Sequence, residues 1–483
     1  MNPTTTSARA ILAAVPLLVA TPLSAADFGA ERDALLAARS ADLFGIAAPL
    51  AASAPASAEK GYRSGAQTAA DQVALAAGLS ADYVSRSVAD KADMIAFWPQ
   101  AAPTHAILCI EGDREEIAAG KLNPSVQSVD LGTGAVRTLV RGMSSCDGIR
   151  TTPWGTVLAT EEEDDGAAYE ILDPLALSDV VVDRDAGTTT DETHVIRRRA
   201  LPQMAWEGLT ITPEGVVIAG DEQRPGSDGN PDSDGGAIFK FIPAVPHAGG
   251  PVASLDASPL VAGTSHAMQV SCYGDKVQTG QGCEVGRAAW IAVDPARARA
   301  EAAAKGATGY YRPEDLHADP TFAGPGLRFC WANTGNEGAA NYGEVLCAID
   351  SDPMSVPVAG ADGKIAFTTE VNRFVEGDAA FNSVDNLAFQ PGTGILYVIE
   401  DHPNGDVWAC LPDGADRDLK TDGCIRVLSV KDSSAEPTGF TFAGDGMTAY
   451  LNIQHSDDSK MAKVDGYGTD DLIRITGFTQ PLK

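Results

Sequence analysis

The sequence predicts an all-β fold, a six-bladed β-propeller with loop and short helical insertions. From about residue 71 onward, short apolar runs rich in Val, Ile, Tyr and Thr alternate with Gly, Pro and Asp turns, the pattern of many short strands. Helical patterns are nearly absent there. ARARAEAAAKG at 296–306 is the exception and reads as a surface insertion. Above all, one plan recurs: an acidic or polar start, a strand, a turn with Pro or Gly, a second strand, and a polar ending. Four copies are close: DGIRTTPWGTVLATEE from Asp147, EGLTITPEGVVIAGDE from Glu207, DNLAFQPGTGILYVIEDH from Asp385, and TGFTFAGDGMTAYLNIQH from Thr438. Two are looser: DMIAFWPQAAPTHAILCIEGD from Asp93 and RPEDLHADPTFAGPGLRFCWANTGN from Arg312. Six copies over roughly 390 residues give about 65 per unit, more than four strands need, so insertions are expected between strands.

In chain order, residues 1–26 read as a Sec-type secretory signal peptide. Arg9 precedes an apolar run from Ala10 to Ala20, Pro22 breaks it, and Ser24-Ala25-Ala26 offers small residues for cleavage. The run is too short to span a bilayer, there is no twin-arginine pair, and no later segment has 18 uninterrupted apolar residues. A soluble, periplasmic or secreted protein is expected. Residues 27–70 are Ala-rich: DFGAERDALLAARSADLFGIAAPL has helical spacing and AASAPASAEK is linker-like, so a loosely packed segment with one or two helices is expected. Residues 71–483 form the propeller. Of eight cysteines, Cys272 and Cys283, Cys330 and Cys347, and Cys410 and Cys424 flank loops and read as local disulfides in an oxidising compartment. Cys109 and Cys146 remain. They bond to each other, or one is a metal thiolate; spacing does not choose.

The formal charge is −31. That excludes a nucleic-acid-binding face, which needs Lys and Arg clusters, and docking on anionic lipid. Two readings are left: solvated surface charge, or carboxylates gathered around cations. In a propeller both ends of each repeat lie at one face, and the ends of six blades converge on the channel mouth. Ordinary turn chemistry explains the Pro and Gly but not the carboxylates at the ends. Gathering them unpaired costs on the order of several kcal/mol in desolvation and repulsion, which cations remove. Carboxylates suit calcium; a thiolate suits iron, so one Cys among many acids points to a mixed site. The loop RPGSDGNPDSDGG at 224–236 holds Asp228, Asn230, Asp232 and Asp234, with Gly235 sixth from Asn230. Phe241 stands at the twelfth place where a calcium loop needs Glu, so it reads as an acidic insertion. No GxSxG elbow or HExxH motif is present.

The segment MSSCDGIRTTPWGTVLATEEE resembles the PhoX family of secreted alkaline phosphatases, which carries a Cys, a Thr-Pro-Trp-Gly turn and a strand ending in two glutamates. Here these are Cys146, Thr152-Pro153-Trp154-Gly155 and Glu161-Glu162. The other motifs follow in order. DMIAFWPQ resembles the first-blade strand, with Glu111 ending its partner. AWEGLTITPEGVVIAGDE resembles the strand that begins with His-Glu, with Trp206 in place of the His. Asp221-Glu222 stands where the family has Glu-Asp. Arg312-Pro313-Glu314, SVDNL with Asp385, and EPTGFTF with LNIQH complete the set. The resemblance runs from about residue 71 to 477.

It implies a six-bladed propeller, hydrolysis of phosphomonoesters, and an iron and calcium cofactor. It implies Cys146 as an iron ligand, with further metal ligands among Glu161, Glu162, Glu207, Asp221, Glu222, Glu314, Asp385 and Glu436. Arg312 would contact the substrate phosphate, and Asn452, Gln454 and His455 of the last signature would bind substrate. Cys109 and Glu111 are additional candidates, because strand alternation puts residues two apart on one face. Glu163, Asp164 and Asp165 read as solvated loop. Arg312 as a structural ion-pair partner and His455 as a turn histidine are the plainer alternatives. The expected activity is a secreted metal-dependent phosphomonoesterase working through a metal-activated oxygen nucleophile, with a small-molecule phosphoester as partner and a monomeric state. The alternatives are a phosphodiesterase or lactonase on the same metal propeller, or a non-catalytic calcium-binding propeller.

Overall fold

Six inner strands organise the molecule: β1 (Ala92–Trp98), β2 (Cys146–Thr151), β3 (Trp206–Ile211), β4 (Pro313–Ala318), β5 (Val384–Phe389) and β6 (Glu436–Phe442). Each packs on the next, and β6 returns to β1, so they close a ring. The computed structural model that shows this describes residues 28–57, 60–226, 235–271, 284–412 and 423–481. The signal segment, the acidic loop at 227–234 and the Cys272–Cys283 pair lie outside the described residues.

Each inner strand pairs antiparallel with the strand that follows it in the chain, and the sheets grow outward from there. Five sheets of four or more strands result, for six inner strands. The difference lies in a nine-stranded sheet that has β3 at one end and β4 at the other. It joins two blades at their rims, where Gly286–Val293 pairs with Thr369–Glu376.

The chain's start closes the ring. Ser80–Ala89 pairs with Thr469–Thr476 as the outer strand of the last blade, and Val73–Leu75 pairs with Cys424–Val430 in the blade before it, so these edges are covered. The Ala-rich segment is not loosely packed. Helices Phe28–Ala38 and Ser40–Phe44 bring Leu36, Phe44 and Ile46 into an apolar cluster with Tyr397, Phe440 and Phe478. Gly45, left-handed at φ 68°, ends the second helix as a C-cap. Arg63 is fully buried and pairs with Asp471 at 2.6 Å. The helix Ala298–Ala304 is likewise anchored. Ala298 and Ala302, four apart on one face, are buried, while Arg299 reaches Asp221.

Every inner strand carries a β-bulge, two residues facing one on the partner. The bulged pairs are Asp93-Met94, Asp147-Gly148, Glu207-Gly208, Glu314-Asp315, Asp385-Asn386 and Gly439-Phe440. A bulge leaves residues out of the ladder and re-aims their side chains. Side chains then stitch neighbouring inner strands together. Asp315 accepts from the Leu387 N–H (3.0 Å), Asn386 from the Gly439 N–H (2.6 Å), and the Thr438 hydroxyl donates to the Ala92 carbonyl (3.0 Å).

Candidate functional site

Five of the six bulges put an acid first: Asp93, Asp147, Glu207, Glu314 and Asp385. All five line one cavity of about 130 Å³. A second set comes from the residue just past four of the six second strands: Glu111 after His105–Ile110, Glu162 after Thr156–Glu161, Asp401 after Leu396–Glu400, and His455 after Thr448–Gln454; Glu222 and Thr334, at the same place in the other two, do not line the cavity. Glu436 at the start of β6, Gln454, and Arg312 just before β4 complete the lining. Nine carboxylates thus face one Arg and one His.

The structure separates the acid doublets that the sequence left together. Successive side chains of a strand point to opposite faces. Glu162 enters the cavity, whereas Glu161 faces away, accepting from the Ser144 and Ala167 N–H groups (3.0 and 3.1 Å) and from Arg184 (2.9 Å). Asp221 accepts from the Ala205 N–H (3.1 Å) and two Arg299 nitrogens (2.9 and 2.6 Å), while Glu222 turns to Arg312. The same device holds in Glu400-Asp401, where Glu400 accepts from the Asn382 and Asp406 N–H groups (3.1 and 3.0 Å) and Asp401 lines the cavity. Glu161 and Asp221 are therefore corrected: their oxygens are committed to backbone and arginine away from the cavity. Asp93, Asp147 and Asp401 were not singled out from the sequence. Each occupies a recurring position of the repeat, and that position was the signal.

Burial, then neighbouring carboxylates, pushes Asp93, Asp147, Glu162, Glu207 and Asp385 well above the usual carboxylate range. Burial raises Glu314 as well, against the opposing pull of Arg312. Glu436, also buried, is pushed up to about 7. One oxygen each of Asp93, Asp147, Glu207 and Asp385 is buried with no hydrogen-bond partner. Such orphans are costly unless something is bound there. Three overlapping triads bring ligand atoms within 4.8 Å of one another: Asp93-Glu111-Asp147, Asp147-Glu162-Glu207 and Glu207-Glu314-Asp385. Clustered oxygen donors of this kind fit hard cations.

Arg312 sits at the rim at φ 56°, its guanidinium beside Glu222, Glu314 (3.3 Å) and Asp401 (3.4 Å). Burial opposes its charge, but these carboxylates hold its pKa above the ordinary value. His455 contacts Glu436 at 3.1 Å; against the effect of burial, that contact raises it to about 9 in the absence of cations. Gln454 donates to Glu111 (2.6 Å). Asn452 is fully buried and its amide N–H donates to the Asp93 carbonyl, so it supports the first bulge and does not line the cavity. Trp206 points into an apolar cluster, its indole N–H on the Pro202 carbonyl (3.0 Å).

Cys146 departs from the expected ligand set. It forms a disulfide with Cys109, and both sulfurs lie in the apolar cluster between the first two blades. Neither is a thiolate, and neither lines the acidic cavity. The expectation of a Cys146 thiolate on iron, or of Cys109 beside it, is thereby corrected: the donor that argued for iron is consumed by the disulfide. Cys330–Cys347 and Cys410–Cys424 form as the sequence suggested, each between directly opposed residues of neighbouring strands.

Solved structures resemble this chain at low identity. A Pseudomonas fluorescens PhoX, in complex with vanadate as a transition state analogue, shares its fold with a TM-score of 0.57 at 15% identity, over 89% of this chain and 98% of that one. A gluconolactonase from Xanthomonas campestris gives a TM-score of 0.40 at 12% identity, over 89% and 99%. A PQQ-bound aldose sugar dehydrogenase from Streptomyces coelicolor gives 0.40 at 14%, over 83% and 99%. The comparison with curated proteins finds no match. A family model described as alkaline phosphatase PhoX matches residues 142–457, which hold four of the five bulge acids as well as Arg312 and His455. With more than half of its length matched, the chain belongs to the PhoX family of alkaline phosphatases.

Proposed function

We propose that this chain is a secreted, metal-dependent phosphomonoesterase whose active site is the acidic end of the propeller channel. The observation that carries the reading is the ring of buried carboxylates, four of them with orphaned oxygens, beneath a single arginine. The bulge acids, with Glu111, Glu162 and Glu436, would hold the cations, calcium foremost because all of these donors are carboxylate oxygens. When bound, such cations supply positive charge at the phosphoryl oxygens and lower the pKa of water. The chain's own groups do the rest. Arg312 offers planar, paired N–H groups suited to two phosphate oxygens, and its Glu222, Glu314 and Asp401 contacts fix its direction. His455, positioned by Glu436 at 3.1 Å, can donate a hydrogen bond to a phosphoryl or leaving-group oxygen.

A panel of a chromogenic phosphomonoester, its diester and a sugar lactone, each assayed with calcium, tests this. Monoester turnover should dominate. It should fall at least about a hundredfold in Arg312→Ala, as expected for losing a charged group that stabilises the transition state. Turnover of the diester or lactone but not of the monoester would overturn the assignment.

A further inference from the structure

Cys109 lies two residues before Glu111, and Cys146 directly precedes Asp147. Glu111 and Asp147 share a triad with Asp93, yet they hang from different sheets: Glu111 follows a strand of the first blade, and Asp147 is in the inner strand of the second. Among the described residues no strand ladder joins those two sheets; one backbone hydrogen bond, from the Ser145 N–H to the Gly112 carbonyl (3.0 Å), crosses between them here, and the disulfide is the covalent tie. The other two described disulfides contrast with it, since each links strands already paired in one sheet. We propose that Cys109 and Cys146 serve the centre as a covalent clamp between two blades that holds Glu111 against Asp147, and that the cations are bound by oxygen donors alone.

The proposal rests on the metal-centre reading above and departs from the ligand set that the family resemblance implies. Donor identity and donor spacing are separable. Loss of a partner that positions a metal ligand costs about 10- to 100-fold in affinity without changing the ligands.

The full-length protein, stripped with chelator and reloaded with Co(II), is examined by absorption, and its cysteine peptides are mapped under non-reducing conditions. The expected result is a linked Cys109–Cys146 peptide, with Co(II) bound and no thiolate charge-transfer absorption in the near ultraviolet. Calcium affinity by titration should then fall about 10- to 100-fold in the Cys109→Ala/Cys146→Ala variant and stay unchanged in the Cys330→Ala/Cys347→Ala control. A thiolate band in the wild-type protein, lost in Cys146→Ala, would overturn the oxygen-only centre. Unchanged calcium affinity in a folded Cys109→Ala/Cys146→Ala protein would overturn the clamp. If that variant does not fold, the wild-type cobalt spectrum still decides the donor set. Failure of the wild-type protein to bind any cation would remove the metal centre itself, and this inference with it.

Discussion

At the residue scale, the acid doublets divide labour between fold and site. In Glu161-Glu162, the first carboxylate ties down the Ser144 and Ala167 N–H groups and Arg184, and the second enters the cavity. The two single substitutions should therefore separate cleanly. Glu161→Ala leaves two buried N–H groups without their acceptor, so it should lower stability by about 1–3 kcal/mol, read by denaturant unfolding with chelator present. Glu162→Gln removes a buried charge from a repelling cluster. It should weaken calcium binding and turnover while leaving the chelated protein as stable as wild type or more so. Equal effects of the two on both readouts would refute the division. The sequence showed that acids crowd the ends of the repeats, which is how Glu162, Glu207, Glu314, Asp385 and Glu436 were legible. It did not show which member of a doublet faces inward, because that phase depends on where the strand enters its bulge. Nor does the sequence distinguish Asp401, inside the cavity, from Asp221, outside it.

At the element scale, four of the six bulges pair an acid with a small or polar residue: Asp147-Gly148, Glu207-Gly208, Glu314-Asp315 and Asp385-Asn386. The inner strands crowd one another just where the acids are re-aimed. A Cβ on Gly208 would lie 2.0 Å from Asp315 Oδ1 and 2.1 Å from the Leu316 nitrogen. Asp315 cannot yield easily, since Arg150 (2.7 Å), His317 (3.1 Å) and the Leu387 N–H (3.0 Å) hold it, and these contacts keep it ionised. Gly148 is equally constrained, with its Cβ position 2.0 Å from the Glu207 carbonyl. Gly208→Ala should thus cost about 1–3 kcal/mol, the penalty of overpacking, and lower Tm measurably. An unchanged Tm would show that the inner ring is looser than these distances require. The repeat was legible because strands and turns have compositional marks. The bulges were not, since one extra residue in a ladder leaves no mark beyond that small neighbour. The closure was not legible either: Ser80–Ala89 pairs with strand residues nearly 400 positions away, and nothing local announces a partner at that distance.

For the whole molecule, the charge of −31 divides into a solvated share and a share buried around the cavity, and pH tells them apart. Charges in water are screened and interact weakly, so the solvated share contributes little to the pH dependence of stability. The cavity acids are raised in the folded state, Glu436 to about 7, and Asp93, Glu207 and Asp385 well above the ordinary carboxylate range. Between the unfolded value near 4.5 and the folded one, the native chain binds more protons than the unfolded chain. Without cations, stability should therefore be fully present below pH 4.5 as far as these groups are concerned, and should fall as pH rises through 7. Cations reverse this, because they bind the deprotonated ring and displace its protons, and their stabilisation grows with pH. Scanning calorimetry in chelator and in millimolar calcium, at about pH 5.5 and pH 8, checks the argument. The gap in Tm between the two conditions should be small at the lower pH and several degrees wider at the higher one. A gap that is the same at both would mean that the buried carboxylates are not where calcium acts, and that the acidity of the sequence is surface charge after all.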